Sequence, residues 1–198
     1  MKWLRYAGPT AMGWAWIIIV VSASVNPTFS VLKSPLSALG SPGAIDPWIY
    51  DMGMMSVGLL ILLYSLHLAT VAVHWVEAFA SGLFGVAGIF LALVGIYHSG
   101  TYPHDFVSLW FFMQSAMASM VWGLGELASG FWRGIAFVAL GIGAPVLAFT
   151  VHWPSNGLEE CFGILAINAY TLLVFSERRM RSPHTPAYAL PRSNRPSI

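Results

Sequence analysis

The chain is short of charge. Only 9% of its 198 residues are Asp, Glu, Lys or Arg, against 57% hydrophobic, whereas a soluble domain carries roughly 25% charged residues. So little polar side chain does not cover a water-facing surface. A large buried soluble core is the other way to hold this much apolar material, but the apolar runs approach the ~20 residues that cross a bilayer core. An integral membrane protein follows. Cysteine is nearly absent too. The single Cys161 rules out an internal disulfide and, with no CxxC partner, a thiolate zinc site. There is no basic stripe interleaved with aromatics, so the reading is no nucleic acid as a partner. No repeat of solenoid period is seen.

What the chain has instead is six apolar segments, over about 11–25, 48–68, 76–97, 106–127, 131–151 and 158–175. Each is near the ~17–25 residues of a spanning helix. The expected fold is all-α: a polytopic membrane helix bundle with six transmembrane helices in residues 1–177. The first segment has Lys2 and Arg5 before it and Ser22-Ala23-Ser24 near its end, in the manner of a signal peptide. Five further spans favour a retained first helix. It should stop at Asn26-Pro27, because Pro lacks the N–H and disfavours helix in the residue before it. Pro145 should kink the fifth helix. Ser81, Gly85 and Gly88 in the third helix, and Gly134, Gly141 and Gly143 in the fifth, are small enough to let backbones approach. Trp3, Trp48, Trp75, Trp132 and Trp153 fall near the predicted interfaces, as in an aromatic belt.

Charge sidedness sets the orientation. Lys2, Arg5, Arg133, Arg178, Arg179, Arg181, Arg192 and Arg195 fall on one side of six spans, and Lys33 alone on the other. The positive-inside rule then puts both termini in the cytoplasm of a multi-pass cell-membrane protein. Residues 178–198 are basic and rich in Pro and Ser, and read as a disordered cytoplasmic tail.

The polar residues are sided as well. The outer side receives Asp46 and Asp51 from the first loop, His98, His104 and Asp105 from the second, and His152, Glu159 and Glu160 from the third. Charge beside hydrocarbon is costly and marks either a site or a satisfied pair. Asp51, Glu159 and Glu160 also stand at helix N-terminal ends, where the helix dipole accounts for a carboxylate without any function. His104 and Ser108, four apart, share a helix face. The candidate catalytic groups are His104, His152, Asp51, Glu159 and Ser108, for acid–base work that needs only two groups in reach. The candidate metal ligands are His98, His104 and His152, for a site with three ligands and an open position. No HExxH motif places such ligands, and no GxSxG elbow activates Ser37, Ser41 or Ser108. His67 and His74 lie on one face and do not flank one haem. Glu126 and Arg133 should pair across the short inner turn. Gln114 and Asn168 should bond a neighbouring helix.

Three short motifs carry a resemblance. Ser37-Ala38-Leu39-Gly40, with Pro42-Gly43-Ala44 and then Pro47-Trp48-Ile49-Tyr50-Asp51, is similar to an S-x-L-G loop leading into a helix. Gly100-Thr101-Tyr102-Pro103, then His104 and Ser108, is similar to a G-x-[FY]-P turn with a later H-x-x-x-S, the loop between them missing here. Gly157-Leu158-Glu159 is similar to a helix start with Gly followed by Glu, with Glu160 where Arg is common. With these the chain resembles the archaeal and bacterial membrane family called domain of unknown function 998. The resemblance implies a six-helix fold and no assigned reaction. It also implies a distant likeness to eukaryotic six-helix proteins linked to lipid-anchor remodelling, which does not fix function.

All three motifs lie at the outer side, so the stretch LSALGSPGAIDPWIYD (36–51) is expected to fold as a cap on the bundle mouth, its Gly and Pro fixing turns. The first functional reading is a bundle that binds membrane lipid, a cofactor or a partner, with a membrane protein or a second copy as possible companions. The alternative is an outer-leaflet lipid-modifying enzyme, a hydrolase or transferase using the His/Asp/Glu cluster. A transporter is the weaker alternative, since no pair of broken helices in repeated halves is visible. The sequence identifies no cofactor.

Overall fold

The six apolar segments become six α-helices. The computed structural model describes residues 2–97 and 99–180. A 3-10 turn, Lys2–Tyr6, leads into α1 (Ala7–Val25). Then follow α2 (Trp48–Val71), α3 (Trp75–Val94), α4 (Tyr102–Ala128), α5 (Gly134–Thr150) and α6 (Asn156–Met180). No strand forms among the described residues. Among the described residues five helices are long and apolar enough to cross a membrane; α5, with 17 residues, is a shorter apolar one.

Several boundaries differ from the sequence reading, each for a local reason. Helix α1 starts at Ala7, and Asn26 ends it as expected. The Asn26 amide donates to the Ser22 carbonyl at 2.8 Å and to the Ile45 carbonyl at 3.0 Å, and its oxygen accepts from Ile45 N at 2.7 Å. One side chain thus closes the helix and ties it to the following loop. Helix α4 starts at Tyr102, with Pro in its first turn. Pro has no N–H to waste there and its φ suits a helix. His104 and Asp105 are therefore helical, not loop residues. Helix α5 runs on through Pro145, and the bond Pro removes is the one to the Gly141 carbonyl. Helix α6 extends to Met180, three residues into the stretch expected as tail; residues 181–198 lie outside the described residues.

Consecutive helices run antiparallel. Gly8 lies against Tyr64 and Gly53 against Ile18, so α1 and α2 pair end to end. Glycine matters most where α2 crosses α3. A Cβ on Gly58 would lie 2.7 Å from Ala92 N, and one on Gly88 would lie 2.7 Å from the Gly58 carbonyl. Backbone meets backbone there, as small residues allow in membranes. Ser81, Gly85 and Gly88 are buried in α3, and Gly134 and Gly141 meet α4, whereas Gly143 faces open space.

Aromatic edges fill the centre. Tyr64 of α2 meets Phe84 of α3 (6.4 Å, 78°), Phe84 meets Tyr170 of α6 (5.1 Å, 81°), and Tyr170 meets Phe137 of α5 (6.0 Å, 82°). Each edge-to-face pair adds about 0.5–1.5 kcal/mol beyond its area. Asn168 links α6 to α1: with its oxygen toward Trp16 it accepts from Trp16 Nε1 at 2.9 Å. At one end of the bundle, Arg133 Nε meets Glu126 Oε2 at 3.3 Å as expected, and Glu126 is fully buried. Glu77, also buried, accepts from Val73 N at 2.8 Å. Trp3, Trp75 and Trp132 stand exposed at this end and Trp48 at the other, as an aromatic belt requires.

Residues 26–47 fold over the opposite end. Leu36–Gly40 is a 3-10 turn whose Leu36, Ser37, Leu39 and Gly40 are buried. Glu160 at the start of α6 accepts from Leu36 N at 2.6 Å, and Ser155 Oγ donates to the Val31 carbonyl. Gly157 rests on the backbone of Val31 and Ser34. The stretch is thus a folded cap, held by the end of α1 and the start of α6.

Candidate functional site

Beneath the cap, α4, α5 and α6 do not close on one another. The facing positions on α5 are Ala144, Pro145 and Ala148, and those on α6 include Gly163 and Ala166. Residues this small do not reach across, so a cleft of about 320 Å³ remains, at the lower end of the ~300–1,000 Å³ of ligand pockets. A smaller void of about 70 Å³ lies beside it, toward α1 and α2. Ser37, Ser108, Phe112, Glu160 and Ile167 line both.

The cleft is polar at one end and apolar along its length. Ser37 of the cap, His104, Asp105 and Ser108 of α4, and Asn156, Glu159 and Glu160 of α6 form the polar end. Below them Phe112, Met113, Ser115, Ala116 and Ser119 of α4 and Phe162 of α6 line the shaft with the small residues of α5 and α6, and Phe149, at the capped end of α5, stands beside the mouth. The α4 lining continues from His104 to Ser119, about 22 Å at ~1.5 Å per residue. Leu109 of α4 and Phe149 of α5 line the cleft and are 47% and 66% exposed. The cleft therefore opens sideways, between helices, as well as under the cap.

His104 is the most buried polar residue of the mouth, at 4% exposure. Its Nδ1 lies 2.8 Å from the Tyr97 carbonyl. A carbonyl only accepts, so Nδ1 carries the hydrogen, and in the neutral ring Nε2 is left as an acceptor. Ser108 stands one turn further along the same helix face. Glu160 is held by the cap, accepting from Leu36 N. Ser37 and Ser99 hydroxyls are 3.4 Å apart across the mouth. No Lys or Arg is among the lining residues.

Of the residues singled out by sequence, the cleft gathers His104, Ser108 and Glu159. Asp51 and His152 do not line it. His152 is exposed. Asp51 sits beside Gly40, where any Cβ would collide with its carboxylate, which accounts for that glycine. His98 lies outside the described residues, and among those described no three His, Cys, Asp or Glu side chains converge as metal ligands. Sequence reasoning left Asp105 and Glu160 out of the site. The signal for Glu160 was the doubled Glu at a helix start, where one carboxylate serves a cap and the next remains for the mouth.

The family model described as "Protein of unknown function (DUF998)" matches residues 9–177, so the chain belongs to that family. No curated protein and no solved structure matches the chain.

Proposed function

Starting from a DUF998 chain of membrane-length helices, we propose that this is a six-span cell-membrane protein, capped end outside and both termini cytoplasmic, that binds a membrane lipid in the α4–α5–α6 cleft. The lipid's headgroup sits under the cap and one of its chains runs down the shaft. The polarity gradient along the cleft carries this reading: hydroxyls, an imidazole and carboxylates at one end, then Phe, Met and Ala, with two serine hydroxyls spent on backbone carbonyls, over about 10 Å at ~1.5 Å per residue. The sideways opening at Leu109 and Phe149 gives a lipid a route from the bilayer. The orientation rests on the Lys and Arg of the uncapped end. Native mass spectrometry in mild detergent tests the reading. A retained lipid is expected on the purified protein, lost in Ala144→Phe, which fills the shaft, and kept in Ile142→Phe, which faces outward. A bare protein, or equal retention in both variants, refutes it.

A second reading, an outer-leaflet hydrolase or transferase, is favoured by one observation. His104 is held by Tyr97 in the tautomer that presents a basic nitrogen, with Ser108 one turn away. On this reading His104 is the general base and Ser108 or a water the attacking group. Incubation in proteoliposomes should then release a fatty acid or headgroup, and His104→Ala should stop release while lipid still co-purifies. No release from any bilayer lipid would remove the enzyme reading.

A further inference from the structure

We infer that the cleft selects a lipid whose headgroup carries a primary ammonium; this rests on the lipid reading above. Two observations converge. The acids lining the mouth are Asp105 at the rim and Glu159, with Glu160 held by the cap, and among the described residues no Lys or Arg lines the cleft. An acidic headgroup would meet like charge beside hydrocarbon, where repulsion is little screened. Independently, His104 is 96% buried by its 4% exposure, lines the cleft, and spends Nδ1 on the Tyr97 carbonyl. Among the described residues its Nε2 meets no protein partner, and in the neutral ring that nitrogen is an acceptor. The site is thus built of acceptors: imidazole nitrogen and carboxylate oxygens. A ligand that satisfies them brings N–H donors and positive charge together. A primary ammonium does both; a quaternary ammonium brings charge without a donor. Ser37, Ser99 and Ser108 supply hydroxyl donors for the phosphate or ester oxygens of the same molecule.

The test is a competition among lipids with identical tails. Delipidated protein in detergent is titrated with phosphoethanolamine, phosphocholine and phosphoglycerol lipids and a neutral galactolipid, and binding is read by native mass spectrometry. The expected result is a preference of about tenfold or more for the phosphoethanolamine lipid over each of the others. Glu159→Gln and Asp105→Asn, both at the surface end of the cleft, should each reduce that preference severalfold. His104→Gln, which keeps a polar side chain of similar reach, should reduce it as well. Equal binding of all four lipids, blocked by Ala144→Phe, would leave the cleft a lipid site and overturn the headgroup inference. Tighter binding of the phosphoglycerol or galactolipid would overturn it too. Binding of none would overturn the inference and the lipid reading together.

Discussion

Gly58 and Gly88 face each other where α2 crosses α3, and their contacts are with backbone atoms that do not rotate away. Gly58→Ala should therefore force the helices apart and lower stability by about 1–3 kcal/mol, the usual cost of overpacking. Gly143 sits in a helix interior with nothing within 4 Å, so Gly143→Ala should be neutral or stabilise by about 0.5–1 kcal/mol. Thermal unfolding in detergent, run side by side, checks both. The contrast shows where residue-level reading stops. Glycines in α3 and α5 look alike in sequence, and a small residue in an apolar segment signals close approach in general. Which one meets a neighbour depends on helix rotation, and these helices are apolar on nearly every face. The same limit applies to Asp51 and Glu159. Both are acids in a first helical turn, but one packs under the cap at Gly40 and the other lines the cleft.

Among elements, α6 is held most distinctly through its start and its aromatic centre. The cap grips its start through Glu160 and Ser155, and Tyr170 anchors it deeper. Glu160→Ala should loosen the cap, with a loss of about 0.5–1.5 kcal/mol for one hydrogen bond. Faster hydrogen exchange at Leu36 N would report it; unchanged exchange there would show that the bond does not hold the cap. At the other end, Arg133→Ala leaves Glu126 buried without its guanidinium. A loss of about 2 kcal/mol is expected, below the 3–5 kcal/mol of a fully buried pair because Arg133 is partly exposed. The six segments, the Glu126–Arg133 pair and the cap at 36–51 were legible because length, spacing and turn residues decide them locally. The cleft was not, because it arises from small residues on α5 facing small residues on α6. Neither helix signals that alone. The fourth segment was expected from about 106, and the helix takes in His104 because a proline in the first turn starts a helix.

For the whole molecule, the prediction concerns sidedness. Ile45 is exposed in the cap and Trp132 is exposed in the α4–α5 turn at the opposite end. With Cys161 replaced by Ala, Ile45→Cys in intact cells should react with an impermeant maleimide, and Trp132→Cys should react only after the membrane is opened. The reverse pattern would invert the orientation drawn from Lys and Arg.

The side opening at Leu109 and Phe149 has a further consequence. A ligand that arrives through it never passes through water, so its relevant concentration is its mole fraction in one leaflet. Occupancy then follows lipid composition, and a modest preference suffices to keep the cleft filled by a major lipid and to exchange it when composition shifts. Two chains of identical sequence, placed in membranes of different makeup, would carry different cargo.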